Sequence, residues 1–476
     1  MITLYYIYLH LLHTIYYICS QINHFINMIF RNIYKKMLLW KESNEKFPII
    51  LRGARQVGKT TLVRNFSKEF ENYVELNLER ETEKALFELK SAREIFSAAV
   101  LYKSLALKKG STLLFIDEIQ EAPNAIAMLR YFQEDLPEIH VIAAGSLLEF
   151  ALQKVASFPV GRVDFLYLHP VSFEEFLRAT NTENMLDTFH TVPIPSYAHT
   201  ILLEQFHTYT LLGGMPQILQ QYLKNTPISN LKKYYNRLWQ SYLNDTEKYA
   251  KNNTERNILR HVLESAPFEK VRISFEGFGN SNYKSREVGE ALRALDLAKI
   301  IRLIYPTTSM DAPIVPDIKK RPRLQFLDTG LLNQTLLLQG KMIGISDLCD
   351  FERGKIIQHL ATQELIAVQD EIQHKPNFWV RENKDSNAEV DLIYRYEDKL
   401  IPIEIKSGKQ GTLRSLHQFV ERSSHPFAVR LYAGNFSIEQ HKTPGGTVYL
   451  LMNLPYYLTS KLDDYLAFFV KKKVEI

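Results

Sequence analysis

Apolar residues follow two rhythms along this chain. From residue 47 to about residue 176, short, nearly continuous apolar runs such as Phe47-Pro-Ile-Ile-Leu, Leu113-Leu-Phe-Ile and Ile139 to Ala144 alternate with stretches of helical spacing. Runs of that length read as strands covered on both faces, and their alternation with helices predicts a parallel α/β sheet. From Tyr197 to Asn333 the period is mostly helical, with a break where Gly213 and Gly214 precede Pro216. Within that stretch, Ser285 to Ile304 reads as an amphipathic helix running into a strand. Strands return in the last third: Phe378-Trp-Val-Arg-Glu alternates, and further runs begin at Ala388 and Leu400. With no internal repeat and no low-complexity linker, the pattern predicts an α/β domain over 28–195, a helical domain over 196–335 and a second α/β domain over 336–476.

The first 27 residues stand apart. No Asp, Glu, Lys or Arg precedes Arg31, and Met1 to Cys19 is nearly long enough to cross about 30 Å of hydrocarbon, with Arg31, Lys35 and Lys36 on the cytoplasmic side. A signal peptide would need a positive start and a small-residue cleavage site, and neither is there. His10, His13, Gln21, Asn23, His24 and Asn27 interrupt the apolar run, which favours an upstream extension from a misplaced start, with Met28 as the first residue. A membrane location is therefore not expected, and a cytoplasmic one is. Lys plus Arg number 58 against 53 Asp plus Glu, a net +5 that permits nucleic acid as a partner without arguing for it. Cys19 and Cys349 have no metal-ligand spacing, so a zinc site and a disulfide framework are not expected.

The first strand runs into Gly53-Ala54-Arg55-Gln56-Val57-Gly58-Lys59-Thr60-Thr61, after which the spacing turns helical. G-x-x-x-x-G-K-[ST] between a strand and a helix is a P-loop, whose backbone N–H groups wrap phosphates at a helix N-terminus. Lys59 would reach the β and γ phosphates and Thr60 would ligate Mg²⁺. A second strand, Thr112 to Ile116, ends in Asp117 and Glu118. Asp117 would hold Mg²⁺, and Glu118 would polarise the attacking water. Ser146, after the strand Ile139 to Ala144, would lie beside the γ phosphate or serve as a turn or cap. Arg162 would contact the γ phosphate, in cis or across a subunit boundary, or stand on the surface.

With G-A-R-Q-V-G-K-T-T, L-L-F-I-D-E-I-Q, A-G-S-L-L, V-G-R and H-P-V-S-F-E-E-F on the page, the chain resembles the prokaryotic AAA-type ATPases that carry a domain of unknown function downstream. The likeness runs from about Met28 to the C-terminus, with Leu211-Leu-Gly-Gly-Met-Pro216 and Phe326-Leu-Asp-Thr-Gly-Leu331 matching the downstream region. It implies binding of ATP and Mg²⁺, with Arg55 and Gln56 in the family's characteristic loop, and it brings no physiological substrate. AAA domains often assemble into rings, and Arg162 is the one hint here of self-association.

Two further constellations invite nucleic acid. The helix–strand unit Ser285 to Ile304 is compatible with a winged helix, and Lys319, Lys320, Arg321 and Arg323 follow where a wing would touch phosphate. The alternative is a packing module with a solvated basic loop. Farther on, Asp391 and Glu404-Ile405-Lys406 fall on neighbouring strands of a hairpin, with Glu404 and Lys406 on one face. Two carboxylates on a divalent ion with a lysine beside the activated water suit phosphodiester hydrolysis. The pattern looks like the PD-(D/E)xK nuclease core, and Glu364, on the helix Leu360 to Val368, matches the acid that such folds often carry on their first helix. An inactive scaffold would keep the fold without the cut. Two functions stay open: an ATPase that gates a DNA-processing nuclease, and a nucleotide-dependent switch whose last domain binds nucleic acid or a protein without cutting.

Overall fold

The structure, a computed structural model, describes residues 29–146, 161–180, 183–250, 252–342, 347–348, 354–368, 376–382, 387–406 and 413–471. The amino-terminal extension, with its two readings, lies outside them, as do both cysteines. No helix among the described residues is long and apolar enough to cross a membrane.

Five strands, β1 (Ile49–Arg52), β2 (Asn72–Asn77), β3 (Thr112–Asp117), β4 (Ile139–Ala144) and β5 (Asp164–Tyr167), form a parallel sheet in the order β2-β3-β4-β1-β5. Helices α1 (Ile33–Glu42), α2 (Lys59–Phe66), α3 (Ala92–Tyr102) and α4 (Pro123–Asp135) cover it. Successive strand residues point to opposite faces. Ile49 and Leu51 thus join Trp40 and Val63 of α1 and α2, whereas Ile50 joins Ile95 and Leu129 of α3 and α4. Both faces being covered is why these strands read as unbroken apolar runs. Because β1 has β4 on one side and β5 on the other, the chain leaving its carboxyl end enters the crevice where such sheets bind ligands.

Helix α5 (Phe173–Ala179) closes this unit and starts on a reciprocal cap between Ser172 and Glu175. After α6 (Glu183–Phe189) come α7 (His199–Leu212), α8 (Pro216–Leu223), α9 (Lys232–Tyr249), α10 (Asn253–Ser265) and α11 (Ser285–Leu297). Strands β6 (Ile301–Ile304) and β8 (Arg323–Phe326) pair antiparallel, and from the loop between them β7 (Pro306–Thr307) leaves for the last sheet. The glycine motifs at 211–216 and 326–331 meet face to face. A Cβ on Gly330 would overlap Leu212 O, while Asp328 accepts from Gly214 N (2.5 Å) and from Leu331 N (2.8 Å) in the first turn of α12 (Thr329–Thr335).

Helix α13 (Lys355–Val368), strands β9 (Asn377–Glu382), β10 (Asn387–Tyr396) and β11 (Lys399–Ile405), helix α14 (Arg414–Val420), strands β12 (Phe427–Tyr432), β13 (Ser437–Lys442) and β14 (Val448–Pro455) and helix α15 (Leu462–Val470) complete the chain. Their mixed sheet has the order β13-β14-β12-β11-β10-β9-β7. One core runs from Val171 and Phe173 through Leu212, Leu292 and Leu360 to Phe469, so the helical middle and this sheet share a single interior.

Candidate functional site

Gly53 (φ +149°) and Gly58 (φ +97°) bend the loop between β1 and α2, and a Cβ on Gly53 would overlap Leu168 O. The loop therefore closes tightly on the first turn of α2, whose free N–H groups and dipole favour an anion. Ala54 and Val57 are buried in the core, and their carbonyls accept from Lys59 and Arg31. Lys59 is only 8% exposed and donates to Gly53 O (2.9 Å) and Ala54 O (2.8 Å). Burial pulls its pKa down to about 8 against the attraction of Glu118 and Asp117. Thr60 Oγ1 donates to Asp117 Oδ2 at 2.8 Å, so the loop and the end of β3 meet as the sequence suggests. Burial raises the Asp117 pKa, opposed by that hydroxyl. Glu118 leaves β3 with φ +53°, and Gln120 Nε2 fixes its Oε2 at 2.6 Å. Gly145 faces the Gln120 amide, and the half-buried Ser146 follows it.

The loop is held from two sides. Arg31, buried ahead of α1, donates to Val57 O (3.0 Å), His169 O (2.6 Å) and Glu175 Oε2 (3.0 Å). Helix α9 lies on the other side: Arg55 pairs with Asp245, Gln56 Nε2 donates to Ser241 Oγ (2.8 Å), and Tyr242 Oη donates to Arg55 O (2.9 Å). Thr61 is exposed. Arg162 is placed differently from the expected cis contact. It precedes β5, at the amino ends of strands whose carboxyl ends carry the loop, and it pairs with Glu134. Six residues of extended chain separate it from Leu168, about 20 Å at roughly 3.3 Å per residue, so it does not reach a phosphate on its own loop.

Residues 45–177 match the family model described as AAA domain. This region is an AAA domain. Residues 203–342 and 353–456 match two families described as domains of unknown function (DUF8612 and DUF4143). Among solved structures, the Walker-type ATPase paby2304 of Pyrococcus abyssi aligns with a TM-score of 0.43 and 16% identity, covering 65% of this chain and 96% of that one. PCH-2 of C. elegans aligns with a TM-score of 0.25 and 15% identity, covering 42% and 59%. No curated protein matches. The AAA domain supports ATP binding.

The second constellation forms in part. β10 and β11 make the expected hairpin and bring Asp391 beside Glu404 and Lys406. Asp391 Oδ1 accepts from Gln358 Nε2 (2.8 Å) and Oδ2 from Ile405 N (3.0 Å); Lys406 Nζ donates to Glu404 Oε1 (2.8 Å), while the buried Glu404 Oε2 has no hydrogen-bond partner among the described residues. Burial raises the pKa of both acids; Arg323 opposes the shift at Asp391, and the Asp391 charge adds to the shift at Glu404. Glu364 is not part of the group. It lies on α13, facing the AAA domain, where its carboxyl meets Phe173 N (3.1 Å) and Tyr209 Oη (2.8 Å). Six residues separate it from Gln358, which puts the two on different parts of the helix surface, and Gln358 is the α13 residue that faces Asp391.

A divalent ion fits this group poorly. The α13 contact is an amide, and the Arg323 guanidinium already lies 3.7 Å from Asp391 Oδ1 and donates to Asp391 O (2.7 Å). Among the described residues, no three His, Cys, Asp or Glu side chains converge to hold a metal ion. The basic loop is occupied as well. Lys320 pairs with Glu382 (2.5 Å), Arg272 with Glu382 (2.8 Å) and Arg323 with Glu389, whereas Lys319 and Arg321 are exposed.

Five further residues serve these two groups: Arg31, Gln120, Asp245, Arg272 and Gln358. Gln120 stands in the I-D-E-I-Q run, where a signal was available. Asp245 and Gln358 act on residues far away in the chain, and nothing local marks them.

Proposed function

We propose that this chain is a magnesium-dependent ATP hydrolase whose carboxyl-terminal domain recognises a partner without cutting it. The observation that carries the first half is the Thr60–Asp117 contact beside the buried Lys59. Thr60 and Asp117 would hold Mg²⁺, which would draw charge from the phosphates. The backbone from Gly53 to Thr61 and the Lys59 ammonium bind the triphosphate, with Ser146 beside its γ end. Glu118, oriented by Gln120, accepts the proton of the attacking water. Arg162, half exposed at the β5 edge, is available to a second copy in a self-associated form.

The second half rests on the internal neutralisation of Asp391 by Arg323 and of Glu404 by Lys406. Helices α10 and α11 with the β6–β8 hairpin read as a winged helix turned toward packing, since β7 and two of its cations are engaged by the last sheet. An ATP-gated nuclease acting on DNA is the second reading. It is favoured by the assembly of Asp391, Glu404 and Lys406 and by the unpartnered Glu404 Oε2.

ATP turnover with Mg²⁺, compared between the wild type and Glu118→Gln, tests the first half. We expect a loss on the order of 10²-fold or more with binding retained, and unchanged turnover overturns the role given to Glu118. Incubation of linear, single-stranded and branched DNA with Mg²⁺ or Mn²⁺, with and without ATP, tests the second. Intact DNA is expected; cleavage that disappears in Asp391→Ala establishes the nuclease instead.

A further inference from the structure

A cavity of about 420 Å³ opens between the helical middle and the carboxyl-terminal sheet, and no residue of the Gly53–Thr61 loop lines it. That volume lies within the roughly 300–1,000 Å³ of small-molecule sites. Its inner wall is apolar and buried, built from Ile304, Phe326 and Leu332 on one side and Ile356 and Phe378 on the other. Its outer lining is different: Phe268, Lys270, Lys341 and Lys355 are all exposed.

Two observations point to an anion. The lining carries three exposed lysines, Lys270, Lys341 and Lys355, and Arg323, which is paired with Glu389, against two acids, Glu269 and Asp391. Both acids are engaged, Glu269 by Gly279 N (2.7 Å) and Asp391 by Gln358 Nε2 (2.8 Å). The second observation is the state of Arg323, which is 7% exposed with its guanidinium over the Phe378 ring. Two of its nitrogens bond Asp391 O and Glu389, but its buried Nε has no hydrogen-bond partner among the described residues. A buried donor left unmade is costly, and such groups in folded proteins usually meet water or a ligand.

We propose that this cavity binds a small amphipathic anion, one acidic group on an apolar or aromatic body. The body packs against Phe326, Ile356 and Phe378, and the acidic group answers the three exposed lysines, beside Arg323. Because the walls come from residues on both sides of α13, such a ligand ties the helical middle to the last sheet. The proposal needs no metal and does not rest on the ATPase reading.

Fluorescence titration of the full chain with 1-anilinonaphthalene-8-sulfonate, and with N-phenyl-1-naphthylamine as the uncharged partner of the same ring system, tests it. One saturable sulfonate site per chain is expected, at least tenfold tighter than the neutral probe and unaffected by ADP. Lys341→Glu with Lys355→Glu should weaken the sulfonate at least tenfold and leave the neutral probe unchanged. Leu336→Trp, at a half-buried lining position, should exclude both. Equal affinity for the two probes, displacement by ADP, or indifference to the charge reversals overturns the proposal. The two lysines are exposed, so their replacement reads out even where the tryptophan variant does not fold.

Discussion

The AAA loop and the Asp391–Glu404 hairpin both gather acids and a lysine, and they differ in what those charges already touch. Lys59 is buried against two carbonyls of its own loop and has been pulled toward neutrality, and the carboxyl group nearest the loop holds only the Thr60 hydroxyl and a backbone amide. An anion with its magnesium ion would answer the Lys59 charge and the Asp117 carboxylate. Around Asp391 the contacts are already made: an amide, a backbone N–H and Arg323 face it, and Lys406 faces Glu404. A motif places chemical groups, but only their partners show whether the place is open.

The widest separation between the two regions should come from one variant in each. Lys59→Ala should weaken nucleotide binding by roughly 10- to 150-fold, since it removes a charged donor worth about 1.5–3 kcal/mol for its hydrogen bond to phosphate. Asp391→Ala should leave nucleotide affinity within about twofold. Calorimetric titration with ADP and Mg²⁺ measures both. Tight binding by Lys59→Ala would remove the loop as the nucleotide seat.

Arg323→Ala comes next. It leaves Glu389 and Asp391 without their shared cation. The cost should be about 2 kcal/mol, below the roughly 3–5 expected for a fully buried pair, because those side chains keep 34% and 23% of their exposure. Urea unfolding reads the loss, and Mn²⁺ titration followed by electron paramagnetic resonance reads whether the freed carboxylate takes a metal. Metal uptake by the variant and not by the wild type would make Arg323 the resident cation of this hairpin. Equal uptake by both would return the site to the nuclease reading.

A smaller effect separates the regions by pH. Lys59 titrates near pH 8 in the free protein, and a bound phosphate favours its charged form. Nucleotide binding should therefore take up a fraction of a proton once the pH exceeds about 8, and affinity should fall as pH rises from there. Titrations at pH 8.5 in buffers of different ionisation enthalpy measure the uptake, which Lys59→Met should abolish.

The same contrast explains what could be read from the chain. The loop, Asp117 and Glu118 are legible because nine consecutive residues and one strand end make up the motif, and their positions follow from the order strand, loop, helix. The hairpin of β10 and β11 is legible from its period of two. Glu364 could not be placed, because a helix buried on several sides gives no periodic clue to which face meets which neighbour, and Glu364, Leu360 and Ile357 are all buried. Nor could the cations at 319–323 be assigned, since the acids that hold Lys320 and Arg323 come from strands more than 60 residues away.

Glu364 gives the smallest and most local test. Tyr209 has one hydroxyl proton and two oxygen neighbours, Val171 O at 2.7 Å and Glu364 Oε1 at 2.8 Å. A carbonyl only accepts, so Tyr209 serves Val171, and Glu364 must supply the other proton as a neutral acid. Burial, which raises its pKa to about 8, agrees. A carboxyl group whose pKa is higher folded than unfolded contributes stability that is present below about pH 4.5 and is lost as pH rises through about 8. Glutamine copies the neutral acid, with Oε1 accepting from Phe173 N and Nε2 donating to Tyr209. Glu364→Gln should therefore melt close to the wild type at pH 5 and above it at pH 9. Parallel melting curves at the two pH values would show that Glu364 is charged in the fold. That result would turn the buried contact between α13 and the AAA domain into a repulsive one, on the same helix that presents Gln358 to Asp391.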